Sequence, residues 1–262
     1  MDWIWNMARG PYQAFLGLGN DGVPVTVNNL ITVEIPAEAT SWLPWENYEA
    51  EAVTLFVQWI RNNPEALVVD IGCSTGIYSL LTLSASPDSS VIAIDSDVPS
   101  LYLTQQLVKH TANRNLHLVH CFVGARSSVT ETLEVAEARA RKAVEAIQPN
   151  TPARYRCLTD GEDGIPVSSL DNLLKDTASE TPVLIKCDVE GAEKLVLDGA
   201  GETLKGRRPT LLLSVHPPAL PDYKTSPKEI SDLLASAGYR FRLISEDHEE
   251  HWWCEPVTVA PV

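Results

Sequence analysis

Five short β-branched runs, at 66–69, 91–94, 117–123, 183–185 and 211–215, alternate with helix-like stretches such as Val98–Thr111, Ala192–Leu204 and Ser226–Ala237. Strands that alternate with helices form βαβ units, and hence a mostly parallel sheet covered on both faces. Tyr239–Ser245 and Glu250–Pro256 flank the acidic turn Glu246-Asp247 and predict an antiparallel hairpin at the sheet edge. With 262 residues and 44% apolar side chains, the chain is long enough for one sizeable core.

Residues 1–45 read as an N-terminal extension or cap, with a β-rich stretch at Val23–Ile35, and 46–262 as the main α/β domain. Apolar spacing predicts a helix over Glu46–Ile60, stopped by Asn62-Asn63-Pro64. The segment 130–148, rich in Ala, Glu and Arg and closed by Pro149-Asn150-Thr151-Pro152, reads as a helical insertion at about 130–150. The rings of Trp42 and Trp45 either fold over a pocket mouth or pack in the core of the cap.

Charge narrows the partners. Lys plus Arg number 20 against 35 Asp plus Glu, a formal net charge of −15, which repels phosphate backbones and anionic lipid. Neither nucleic acid nor a membrane is an expected partner. No apolar run approaches the ~18 residues of a membrane helix, and Asp2 precedes any apolar stretch, so a cytoplasmic protein is expected. The five cysteines are all at least 30 residues apart, with no CxxC pair, which argues against structural zinc and a disulfide framework.

The strand at 66–69 leads into Asp70-Ile71-Gly72-Cys73-Ser74-Thr75-Gly76, a D-x-G-x-x-x-G turn, and a helix-like run follows. In open α/β sheets ligands lie beyond the carboxyl ends of the strands, where a glycine turn lets backbone amides approach them. Gly72 and Gly76 alone do not make the G-x-G-x-x-G of a dinucleotide cradle, which disfavours a nicotinamide-dependent oxidoreductase. An alternative is that the two glycines merely permit a tight turn. Asp95, at the end of the second strand and followed by Ser96, suits the two hydroxyls of a ribose, whereas Asp97 before Val98-Pro99 reads as a helix cap. The strand ending at Val123 is expected to offer apolar surface to an adenine.

Farther along stand Pro166-Val167-Ser168-Ser169-Leu170-Asp171, then Lys186-Cys187-Asp188-Val189-Glu190-Gly191-Ala192-Glu193, Leu197-Asp198-Gly199-Ala200 and Leu212-Leu213-Ser214-Val215-His216-Pro217. With the turn at 70–76, this order resembles the FkbM family of S-adenosylmethionine-dependent methyltransferases over about 48–217. The resemblance implies a Rossmann-like class I methyltransferase fold and methyl transfer to a hydroxyl of a sugar, polyketide or other small natural product. It places S-adenosylmethionine at Asp70, Gly72, Cys73, Ser74, Gly76, Asp95, Ser96 and Val123. The chain departs from the family's usual pattern at Cys73-Ser74-Thr75, at Asp95-Ser96 and at Ser214.

The residues carry a chemistry of their own. Lys186 and Asp188 share a strand face, and a lysine inside an apolar strand needs a carboxylate partner, either for catalysis or as a structural ion pair. Glu190 and Glu193 suit a helix start. His216 has the ordinary pKa range of a base for a hydroxyl near neutral pH, so Asp188, His216 and Lys186 are the candidate catalytic residues. A divalent ion on Asp188, Glu190, Glu193 and His216 is the less favoured version, and no metal site is assigned. His248-Glu249-Glu250-His251 has its histidines three apart, unlike H-E-x-x-H, and reads as part of a solvated loop at 246–251. A catalytically silent module that binds an adenosyl ligand remains an alternative.

Overall fold

The computed structural model describes residues 22–128, 132–147, 164–246 and 248–257. The strands are β1 (Gly22–Val27), β2 (Ile31–Pro36), β3 (Leu67–Ile71), β4 (Ser90–Asp95), β5 (Leu116–His120), β6 (Phe122–Val123), β7 (Val167–Ser168), β8 (Val183–Asp188), β9 (Thr210–Val215), β10 (Tyr239–Glu246) and β11 (Glu250–Pro256). The helices are α1 (Ala50–Asn62), α2 (Ile77–Ala85), α3 (Val98–Leu107), α4 (Leu133–Glu145), α5 (Leu170–Leu174), α6 (Glu193–Asp198), α7 (Gly201–Gly206) and α8 (Pro227–Ser236). Seven strands form one sheet in the order β10-β11-β9-β8-β3-β4-β5, in which β11 runs antiparallel to both neighbours and the others are parallel. The fold is the expected α/β one, with its C-terminal hairpin. That hairpin is placed so that β11, not β10, lies against β9.

Period-two alternation sorts the strand side chains into two cores. Val68, Val91, Leu184, Leu212 and Trp253 pack with α1, α2 and β2 on one face, and Val69, Ile92, Ile185, Leu213 and Trp252 pack with α5 to α8 on the other. β1 and β2 form a hairpin whose turn passes through Asn28 and Asn29, both at positive φ, a region asparagine tolerates. The buried row Ile31, Val33 and Ile35 joins the first core, as does Trp45, whose Nε1 donates to the carbonyls of Ala39 and Thr40. The tryptophan therefore packs in the core.

Two sequence runs are each divided. The run at 117–123 divides after the Cys121 amide makes the last ladder bond to β4, at the Asp95 carbonyl: the Phe122 amide bonds to the Pro166 carbonyl, and Phe122-Val123 pairs in parallel with β7 in a separate small sheet. The stretch Ala192–Leu204 becomes two helices because the Asp171 carboxylate accepts the amides of Glu202 and Thr203, giving α7 an N-terminus of its own. α4 buries Ala136, Ala140 and Val144 and lies against β5 and α3. Its expected stop at 149–152, the turn residue at 247 and Cys157 lie outside the described residues. Among the described residues Cys73, Cys121, Cys187 and Cys254 are buried thiols outside any disulfide, and no helix is long and apolar enough to cross a membrane.

Candidate active site

Two groups of side chains gather at the carboxyl edge of the parallel strands. The first follows β3. Gly72 sits at φ +73°, and an added Cβ would fall 1.8 Å from the Asp188 carbonyl oxygen; Gly76, at φ +86°, would meet Thr104 at 2.6 Å. Both glycines are thus explained by the turn itself and by the backbone packed against it. Held this way, the turn directs the Ser74 amide to Asp95 Oδ2 at 3.0 Å, while Asp95 Oδ1 accepts the Asp97 amide at 2.8 Å. Burial, reinforced by Asp97, pushes the Asp95 carboxyl up to about 7. Asp97 caps α3 through the Ser100 amide, as its position before Val98-Pro99 implied.

Three residues assigned to the cofactor have partners within the protein. Asp70 is buried, and its Oδ2 takes both the amide and the hydroxyl of Ser79, at 3.1 and 2.6 Å, tying β3 to α2. Burial raises its carboxyl to about 6. The Cys73 thiol points to Thr104 Oγ1 at 3.4 Å, and Val123 is packed in the second core. Ser96 is half-buried, and its carbonyl accepts from His120 Nε2.

The second group crowns the first core across β8, β9 and β11. Cross-strand register sets Asp188 opposite Ser214 and Ser214 opposite His251, with Lys186 one pleat below Asp188. Lys186 is 1% exposed; its Nζ lies 3.1 Å from Asp188 Oδ2, donates to Ser214 Oγ, and sits 5.0 Å from the centroid of the Tyr78 ring. The carboxylate partner that a buried lysine requires is therefore Asp188. Burial opposes the ammonium charge, but Asp188, Glu49 and Glu249 hold it above its ordinary range. Burial likewise favours the neutral Asp188, yet Lys186 and His216 outweigh it and hold that carboxyl below the usual range.

His216 lies between carboxylates, with Nδ1 2.7 Å from Glu193 Oε1 and Nε2 2.7 Å from Glu249 Oε2; Asp188 Oδ1 is 3.6 Å and Glu190 Oε2 3.7 Å from Nε2. Burial alone would lower this imidazole, but the hydrogen bonds to Glu193 and Glu249 push it up to about 11. Both ring nitrogens lie 2.7 Å from carboxylate oxygens, an enclosure that favours the charged imidazole, and with it a role in positioning its neighbours, over the neutral base that the sequence suggested. Glu193 also accepts the Gly191 amide at 2.9 Å, combining the expected role at a helix start with a partner for His216. Glu190, at φ +52°, is exposed.

Three further members were not among the expected residues. Glu249 and His251 are buried here, not part of a solvated loop. The Nδ1 of His251 is 3.2 Å from Ser214 Oγ, and its Nε2 is 3.2 Å from Glu249 Oε1. Glu49 comes from the segment that joins the cap to α1. Its Oε2 accepts the Tyr78 hydroxyl at 2.5 Å, and its backbone is left-handed at φ +39°. The side chain of Asn28, which bonds both the amide and the carbonyl of Tyr48 at 2.8 Å, fixes this segment. The signal for Glu249 and His251 lay in topology, since a strand antiparallel to β9 begins where β9 ends.

The sequence matches the model of the methyltransferase FkbM domain over residues 96–241, more than half of the chain. No curated protein matches it. Similar solved structures include a methyltransferase FkbM from Methylobacillus flagellatus, with TM-score 0.46 and 15% identity over 97% of this chain and 60% of that one. Others are precorrin-6y C5,15-methyltransferase from Geobacter metallireducens, with TM-score 0.47 and 13% identity over 79% of this chain and 87% of that one, and a SAM dependent methyltransferase from Aquifex aeolicus, with TM-score 0.42 and 12% identity over 78% and 88%. On the strength of the domain match, the chain belongs to the FkbM methyltransferase family.

Proposed function

We propose that this chain transfers a methyl group from S-adenosylmethionine to a hydroxyl of a small molecule, with Asp188 as the residue that accepts the hydroxyl proton. One observation carries the reading: the Asp188 carbonyl packs against Gly72, so the cofactor turn and the carboxylate adjoin at one strand edge. S-adenosylmethionine supplies, when bound, an electrophilic methyl group on a sulfonium. Asp95 would hold the ribose by accepting from its hydroxyls, and the backbone of 72–76 would border the remainder.

The proton acceptor need not be a strong base. A hydroxyl oxygen that has gained a methyl is a far stronger acid than any carboxylic acid, so the acceptor needs only to be ionised and in place as the C–O bond forms. Asp188 meets that condition because Lys186 and His216 favour its charged form. Its side chain is 29% exposed, whereas that of Lys186 is sealed, so the carboxylate is the member of the pair that an acceptor can reach.

The test has two parts. S-adenosylmethionine and its demethylated product should each raise the melting temperature of the chain, and NAD should not. With labelled methyl donor and a panel of sugar and polyketide alcohols, Asp188→Asn should cut turnover by about 100-fold or more while sparing cofactor affinity. Loss of less than tenfold would remove Asp188 from the role. A melting temperature unmoved by either adenosyl compound would refute the cofactor assignment.

A further inference from the structure

Glu49, Glu249 and His251 each present one ligand-capable atom, all within 4.8 Å of one another. Around them, carboxyl groups outnumber cations: Asp188, Glu193, Glu249 and Glu49 face Lys186 and His216. An acidic cluster alone is no site. The decisive atom is His251 Nε2, which belongs to a fully buried imidazole and makes no hydrogen bond, although Glu249 Oε1 lies 3.2 Å away.

Ser214 Oγ has two lone pairs, enough to accept from both Lys186 Nζ and His251 Nδ1. With the imidazole proton on Nδ1, Nε2 turns a lone pair toward a carboxylate oxygen. Two such atoms repel across a dry gap, and a cation that both can bind makes the same arrangement favourable. Their separation also fits, since neighbouring ligand atoms on an ion with bonds of about 2.0–2.2 Å stand about 3 Å apart.

We propose that Glu49, Glu249 and His251 bind a divalent first-row transition ion. One imidazole nitrogen with two carboxylates suits Zn2+ or Mn2+ better than Ca2+ or Mg2+, which favour all-oxygen sets. His216 suits a ligand role less than His251, because each of its nitrogens lies at 2.7 Å from a carboxylate oxygen. Glu249 joins the two halves of the site: Oε2 bonds His216, Oε1 faces His251, and its ligand atom lies within 4.8 Å of those of Asp188 and His216. The ion would stand one carboxylate from Asp188, with coordination positions left for water or the acceptor hydroxyl, whose proton it would acidify. That role rests on the methyl-transfer reading. Glu49 is delivered in a left-handed conformation, φ +39°, an outlier of the kind that gathers at binding sites.

The full chain, stripped with a chelator, is titrated with Mn2+ under electron paramagnetic resonance and with Zn2+ by calorimetry, without methyl donor or acceptor. One ion per chain is expected, bound at least about tenfold more weakly by Glu49→Gln and His251→Gln. Glu49→Gln keeps an acceptor for Tyr78 at a half-buried position, and circular dichroism verifies that each variant is folded. No uptake by the folded wild-type chain, or unchanged uptake by folded Glu49→Gln, overturns the site. Uptake without any methyl transfer would count against the methyl-transfer reading alone, and turnover that persists in a chain taking up no ion would count against the ion site alone.

Discussion

Lys186→Met removes an ammonium that is sealed from water, 3.1 Å from Asp188 Oδ2 and shared with Ser214 Oγ. At that distance and an effective dielectric of about 20, the gross attraction is about 5 kcal/mol, and desolvation of both groups offsets most of it. The two partners do not suffer equally when left alone. Without Lys186, the Asp188 side chain keeps its 29% exposure and His216 Nε2 at 3.6 Å, so the variant should lose about 2 kcal/mol. Without Asp188, the ammonium has no route to water and keeps only Ser214 Oγ, the Tyr78 ring and longer-range carboxylates; Asp188→Asn should cost about 3–4 kcal/mol. The double variant buries neither charge and should be less destabilised than the two costs added, by about 2 kcal/mol. Urea unfolding of the four proteins, with a common m value, measures the cycle. A coupling within about 0.5 kcal/mol of zero, or Lys186→Met as the costlier change, would refute the claim that a desolvated charge pair lies beneath the site.

Gly72 and Gly164 have nearly the same backbone conformation, φ +73° and +72°, but a Cβ at Gly72 meets the Asp188 carbonyl at 1.8 Å and one at Gly164 meets nothing within 4 Å. Alanine at Gly164 should therefore lower stability by about 1–2 kcal/mol through φ alone, and alanine at Gly72 by more than about 4 kcal/mol, read from urea midpoints. Equal losses would mean that the approach of the turn to β8 is not tight. Asp95→Ala should weaken S-adenosylmethionine binding about 10- to 100-fold in calorimetry, the equivalent of losing one or two charge-assisted hydrogen bonds. Because burial and Asp97 raise the Asp95 carboxyl to about 7, and ribose hydroxyls donate to the ionised form, wild-type affinity should be full above that pH and fall below it. An affinity that stays flat from about pH 8 to about pH 5.5 would exclude Asp95 as the ribose acceptor.

The sheet was legible because β-branched runs and helical runs alternate, and because each buried strand side chain obeys a local period. Lys186 was legible for a related reason: a charge inside an apolar strand contradicts its surroundings, and the contradiction demands a partner, which Asp188 supplies. The divisions at Cys121 and at Gly199-Ala200 were not legible. Each depends on a remote group, the Pro166 carbonyl that takes the Phe122 amide or the Asp171 carboxylate, that claims amides a continuous element would have used. The surroundings of His216 were not legible, because the intrinsic pKa of a side chain says nothing of the two carboxylates that enclose it.

Glu49, Glu249 and His251 were hidden by a different circumstance. Glu249 and His251 belong to the acidic and histidine-rich stretch 246–251, and Glu49 stands near Glu46, Asn47 and Glu51, which is the ordinary pattern of a solvated turn. Glu249 and His251 become buried because β11 enters between β9 and β10, and Glu49 becomes half-buried because Asn28 clamps the chain just before it. Both events join segments far apart in sequence. Once the strand order is known, however, Asp188, Ser214 and His251 form one row across β8, β9 and β11, and Glu249 and His216 close the end of it. In this fold the strand antiparallel to β9 brings its first residues, not its last, to the ligand end. A polar start to an antiparallel strand beside β9 is therefore as informative about the site as the polar end of any parallel strand.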